Sequence, residues 1–200
     1  MRGGRGLVMA VVLVLLAPVS ARGQVAWDSP MLLPPGVGEG FGIFLADVEG
    51  GGLGAIATWR APGWNFGIRG GIAESPGDDV GILAGFDVSG SLVRSSNDFP
   101  LDVDWLFGAG LGVDDGVRLS APIGLSTGHT FDADGVSFLP YITPRVVLDA
   151  FLGDDDGRDD DLNLDLAVDL GLDIRFSRDF LVRFGGTIGD RDGVAIGLVF

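Results

Sequence analysis

A period of two runs through most of this chain. Leu101, Val103, Trp105, Phe107, Ala109, Leu111 and Val113 share one face, with Asp102, Asp104, Leu106, Gly108, Gly110 and Gly112 on the other. The next run sets Val117, Leu119, Ala121, Ile123 and Leu125 against Arg118, Ser120, Pro122, Gly124 and Ser126. A later one sets Leu162, Leu164, Leu166, Val168, Leu170, Leu172, Ile174 and Phe176 against Asn163, Asp165, Ala167, Asp169, Gly171, Asp173 and Arg175. Successive side chains point to opposite faces in an extended strand, so this pattern predicts strands. About ten candidates follow, at roughly 38–46, 52–60, 63–72, 80–89, 101–112, 116–127, 136–151, 162–176, 179–188 and 193–200. Turn chemistry separates them, as at Ala61-Pro62-Gly63, Ser75-Pro76-Gly77-Asp78 and Asp190-Arg191-Asp192-Gly193. Eight strands is the alternative count, in which 38–46 and one other segment are not strands.

Composition narrows the class. A chain of 200 residues that is 46% hydrophobic and 20% charged can bury a core and is not disordered. The 35 glycines follow no collagen period. Cysteine is absent, which excludes disulfides, thiolate zinc sites and a cysteine nucleophile. Every basic residue is arginine, and the net charge of −15 argues against nucleic acid, whose phosphates need a basic surface.

Residues 1–21 read as a cleaved signal peptide. Arg2 and Arg5 precede the apolar run Leu7–Leu16, and Pro18 breaks it. Val19-Ser20-Ala21 then offers a small-residue cut site. The apolar run is too short to cross a bilayer as a helix. Residues 22–36, with Pro30, Pro34 and Pro35, read as an irregular lead-in, and 37–200 as the strand-built domain.

Alternation alone leaves open which face is inside. A soluble barrel puts the apolar face inward and a membrane barrel puts it outward. Here the face opposite the apolar one carries glycines, small residues and isolated charges. Its acids are Asp87, Asp102, Asp104, Asp149, Asp165, Asp169 and Asp173; its bases are Arg60, Arg69, Arg118, Arg145, Arg175 and Arg183. That near balance, in a chain of 28 acids and 13 bases, predicts mutual pairing in a confined interior. The remaining acids gather in the loops after odd-numbered strands, including Asp47, Glu49, Asp78, Asp79, Asp114, Asp115, Asp190, Asp192 and the run Asp154–Asp161. In those loops Arg158 and Arg191 are the bases expected to oppose them. The opposite ends carry Trp59, Trp64, Phe99, Phe176, Phe180 and Phe200, as an interfacial aromatic girdle would. One rim is therefore expected to be acidic and outward, the other aromatic and periplasmic.

The final run alternates Val194, Ile196, Leu198 and Phe200. It resembles the C-terminal assembly signal of Gram-negative outer-membrane β-barrels. Residues 37–200 as a pattern are similar to the small barrel group that includes the OmpA transmembrane domain and OmpX. The resemblance implies an all-β, antiparallel transmembrane barrel of about 8–10 strands. It further implies export to the bacterial outer membrane, contact with outer-membrane lipid, and handling by the barrel-assembly machinery during biogenesis. Turns near 90–100 and 128–135 are longer than the short periplasmic turns usual for that group.

Catalytic chemistry finds little footing. The single histidine, His129, lies in a turn. Ser120, Ser126 and Asp132 are near in sequence, but a triad needs three groups in fixed geometry, and a solvated turn histidine is the expectation. Asp102 and Asp104 face one way on a strand and could serve as an acid–base pair; ion pairs to Arg118 or Arg145 are the expectation instead. The run Asp154–Asp161 departs from the EF-hand loop and reads as a solvated acidic tip with weak divalent-cation association. No site for a cofactor is expected. The expected role is a non-enzymatic, largely closed barrel with a structural or surface-exposed place in the envelope. A narrow cation-preferring pore and a soluble, secreted lipocalin-like binder are the alternatives.

Overall fold

The computed structural model describes residues 33–36, 38–48, 52–75, 79–113, 116–152 and 162–200. The signal peptide, most of the lead-in and the run Asp154–Asp161 lie outside the described residues. Among the described residues eleven strands form one sheet: β1 Gly40–Val48, β2 Gly52–Arg60, β3 Phe66–Ser75, β4 Asp79–Val93, β5 Asp102–Val113, β6 Val117–Gly128, β7 Phe131–Ala133, β8 Val136–Leu152, β9 Leu162–Ser177, β10 Phe180–Gly189 and β11 Gly193–Val199. Sequential neighbours pair antiparallel, β1 pairs with β11, and β6 pairs with β8 past the short β7. The sheet is thereby closed into a barrel whose wall has ten strands. Closure removes the unpaired edges that an open sheet would expose.

The ten expected strands are the ten wall strands. Two features differ from the sequence reading. β4 continues to Val93, because Ser91 and Val93 keep pairing with β5 across an irregularity, although Gly90 and Ser91 interrupt the apolar alternation. The turn after β6 contains β7, a three-residue strand paired with the start of β8. Its hairpin turns at Asp134 and Gly135, both with positive φ (52° and 80°), the primed turn for which Asp-Gly is suited. At the same end, Trp64 N donates to Ala61 O at 3.2 Å around Pro62 and Gly63, and Gly63 supplies the positive φ of 68°.

The apolar face points out. Leu45, Leu53, Ile82, Leu164 and Leu166 are each more than half exposed, whereas Arg145, Asp149, Asp169 and Arg191 are each 3% exposed or less. A lipocalin-like arrangement would need the reverse. The lumen also holds a modest apolar group around Phe44, Ile56 and Leu83. Its large rings fit because glycines face them: a Cβ at Gly197 would lie 2.0 Å from the Phe44 ring, and one at Gly171 would lie 2.0 Å from Tyr141.

Candidate functional site

Among the described residues, polar chemistry is concentrated in the charged lumen, behind an apolar wall. It is built by the inward positions of the strands, which alternate with the exposed ones. Near the aromatic rim, Asp87 of β4 is shared by Arg60 of β2 and Arg69 of β3, the latter at 3.0 Å. The register explains the cluster: Asp87 is level with Gly67, and Gly67 with Arg60. Gly67 has no side chain to keep them apart. On the far wall, Arg183 grips Asp173 with both ends of its fork, Nε to Oδ1 at 2.7 Å and Nη2 to Oδ2 at 2.8 Å. Arg183 and Asp173 are cross-strand partners.

Midway up, Arg145 Nε donates to Asp169 Oδ2 at 2.9 Å, and Thr187 Oγ1 donates to Asp169 Oδ1 at 2.7 Å. Toward the end of the barrel opposite the aromatic rim, Arg191 reaches Asp165 at 3.1 Å and also pairs with Asp149. Charges removed from water persist only when paired and hydrogen-bonded, and arginine's planar fork suits a carboxylate. The lumen is therefore filled by paired groups as well as by rings.

Of the charges expected on the inner face, Asp87 meets Arg60 and Arg69, Arg145 meets Asp169, and Arg183 meets Asp173; four other placements differ. Asp102 and Asp104 pair with Arg94, at 3.9 and 2.8 Å, and not with Arg118 or Arg145. The cause is height: Asp102 is level with Gly128, whereas Arg118 is level with Gly112 at the other end of β5. Arg118 sits with its guanidinium 5.7 Å from the centre of the Phe151 ring. Arg175 is exposed at the aromatic rim and donates to Arg178 O at 3.2 Å. Arg191 was expected to oppose acids in an outward loop; instead its side chain is among the most buried in the molecule.

Local backbone explains Arg191. Gly189 has φ of 130°, and a Cβ there would lie 2.5 Å from Leu166 O. The next residue is clipped to β9 twice: Asp190 N donates to Leu166 O, and Leu166 N donates to Asp190 Oδ2, both at 2.9 Å. The chain is thus turned over the barrel end so that Arg191 drops inward. The glycine before an Asp-Arg-Asp turn was the available signal, and alternation could not read it.

The lead-in also enters the lumen. Leu33 is buried against Leu106, and Leu33 O accepts from Ser126 Oγ at 3.0 Å. Gly36 N donates to Asp104 Oδ2 at 2.7 Å. Beside it, at the aromatic rim, are two small clefts of about 380 and 210 Å³; Arg94, Asp102 and Ser137 line the larger, Arg60, Arg178 and Phe180 the smaller.

The residues weighed for catalysis stand apart. His129 is exposed, with Nδ1 2.5 Å from Pro100 O. Ser126 faces the lumen beside Thr143, and Asp132 accepts from Ser137. Among the described residues no group of three or more His, Asp or Glu side chains is gathered as a metal site. The terminal run expected to guide assembly forms β11, with Val194, Ile196 and Leu198 turned outward and Phe200 bonded to Phe41. No family model and no curated protein matches the chain.

Proposed function

We propose that this protein is an integral outer-membrane β-barrel of the kind represented by the OmpA transmembrane domain and OmpX. Its role in this reading is structural or surface-exposed and non-enzymatic, with a lumen closed by its own ion pairs. One observation carries it: the molecule is inside-out relative to a barrel made for water. Exposed large apolar side chains stand at outward positions of every wall strand, while Arg60, Arg69, Asp87, Arg145, Asp149, Asp169, Asp173 and Arg183 are buried. So much apolar surface is unusual on a soluble monomer, and hydrocarbon is the environment that stabilises it. Wall strands of 9 or 10 residues, such as β1, β2, β3 and β10, are long enough to cross a bilayer when tilted. Closure satisfies the backbone groups that lipid cannot.

Exposed aromatics at one rim support a defined direction, with Trp59, Trp64, Phe176, Phe180 and Phe200 at the headgroup level of the periplasmic leaflet. Outer-membrane lipid is then the main partner, and the barrel-assembly machinery the partner during insertion. The test is fractionation of cells expressing the full chain. Recovery in the outer-membrane pellet after a urea wash is expected. A folded protein recovered in the soluble periplasmic fraction would overturn the reading.

A further inference from the structure

Three prolines lie within wall strands, Pro122 in β6 and Pro140 and Pro144 in β8. Proline has no N–H to give a ladder and is uncommon inside a sheet. Pairing of β6 with β8 runs from Val117–Leu152 to Gly124–Arg145, then resumes in the same register at Thr127–Ile142. The positions passed over set Leu125 against Pro144 and Ser126 against Thr143. Pairing of β5 with β6 is likewise interrupted between Phe107–Ile123 and Gly110–Ser120, opposite Pro122. His129 N donates to Pro140 O, so Pro140, Ile142 and Pro144 turn their backbone groups toward β6. Pro144 therefore meets Leu125 without a donor. The other wall seams show irregular register only near strand ends, at Ser91 and at Phe180. Within residues 121–126 both ladders of β6 are interrupted, the one with β5 at Ala121 and Pro122 and the one with β8 at Leu125 and Ser126.

Side chains meet behind that gap. Thr143 Oγ1 donates to Ser126 Oγ at 2.9 Å, and Ser126 Oγ donates to Leu33 O at 3.0 Å. The lead-in thus ends a hydrogen-bonded chain that crosses the interrupted seam from inside. It is anchored again by Leu33 packing on Leu106 and by Gly36 N on Asp104. These anchors belong to β5, β6 and β8, the three strands that share the two gaps.

We propose that residues 33–36 are a strap that holds the middle of β6 in place and closes the aromatic-rim mouth of the lumen. When the strap leaves, residues 121–126 loosen and the apolar floor at Leu106 opens to the mouth. The strap depends on the barrel's internal contacts alone, whatever environment surrounds the wall.

The test uses the full chain refolded in detergent micelles. Gly36→Pro removes the N–H that Asp104 accepts and cannot adopt the Gly36 φ of 67°. Ser126→Ala, a milder change, removes the middle of the bridge. Each should speed amide exchange over 121–126 about tenfold or more, while residues 55–58 of β2 keep the parent rate. Because the chain has no cysteine, Leu106→Cys supplies a single thiol. That thiol should be shielded alone and labelled about tenfold or more faster when combined with Gly36→Pro. Unchanged exchange at 121–126 in both folded variants would overturn the strap. So would an equal rise in β2, which marks general destabilisation. If the cysteine variant does not fold, the exchange comparison decides.

Discussion

At the scale of single residues, burial separates arginines that look alike in sequence. Arg145 and Arg191 are nearly inaccessible and hold Asp169, and Asp149 with Asp165, respectively. Removing either takes the arginine away from a buried carboxylate, and breaking a buried pair costs about 3–5 kcal/mol, whereas an exposed pair is worth about 0–1 kcal/mol. Arg145→Ala and Arg191→Ala should each lose folded stability in the first range, as read by denaturant unfolding in micelles. Arg118→Ala, at a half-buried position over Phe151, should fall near the second. Equal, small losses for all three would mean that the lumen is wet enough to screen its charges. In the turn between β10 and β11, Asp192 is raised from its ordinary value, first by partial burial and then by Asp47. A carboxyl raised in the folded state destabilises the fold in its charged form. That penalty is present at neutral pH and is relieved as pH falls through the folded value to the unfolded one. Asp192→Asn should therefore raise the unfolding midpoint at pH 7, with the advantage gone by about pH 3. A gain that persists at that pH would rule out this cause.

Elements carry the closure. β11 pairs with β10 on one side and β1 on the other, so it is the strand that finishes the ring. Phe200 extends that last seam: its N donates to Phe41 O at 2.9 Å, and its O accepts from Phe41 N at 2.8 Å. The two rings lie 5.8 Å apart. Deleting Phe200, or changing it to Asp, removes both the ring contact and an exposed apolar side chain at the aromatic rim. Membrane-inserted protein should drop sharply in pulse-labelled cells while export across the inner membrane continues. Parent levels of inserted barrel from either variant would contradict a role for this end in assembly. The strands themselves follow from local rules: alternation sets their faces, and Pro62-Gly63 and Asp134-Gly135 set their turns.

For the whole molecule, the consequence of a filled interior is low conductance. An eight-stranded barrel is just wide enough for side chains to fill it, and ten strands add little room. Here rings pack against glycines, ion pairs join neighbouring strands on the inner face, and Leu33 and Gly36 lie at one mouth. Planar bilayers containing the parent protein should show no steady current. A stable, cation-selective current would favour the pore reading instead. The division between what could be read and what had to be seen follows from the range of the forces. Alternation is a nearest-neighbour property, so ten candidate strands, their two faces, and inner charges such as Asp87, Arg145, Asp169 and Arg183 were legible in the chain, whereas Arg191 and Arg175 were misplaced. Pairing depends on register and height, which sum over many strands. Hence Asp104 meets Arg94 rather than Arg118, and Asp87 meets two arginines from different strands. Arg191 depends on one backbone turn at Gly189, and Leu33 on a segment with no periodicity at all. Sequence alone determined that a wall of strands would keep its charges on one side. Only the closed tertiary structure decided which charges meet, and what enters the space between them, because those contacts exist only once distant strands share one interior.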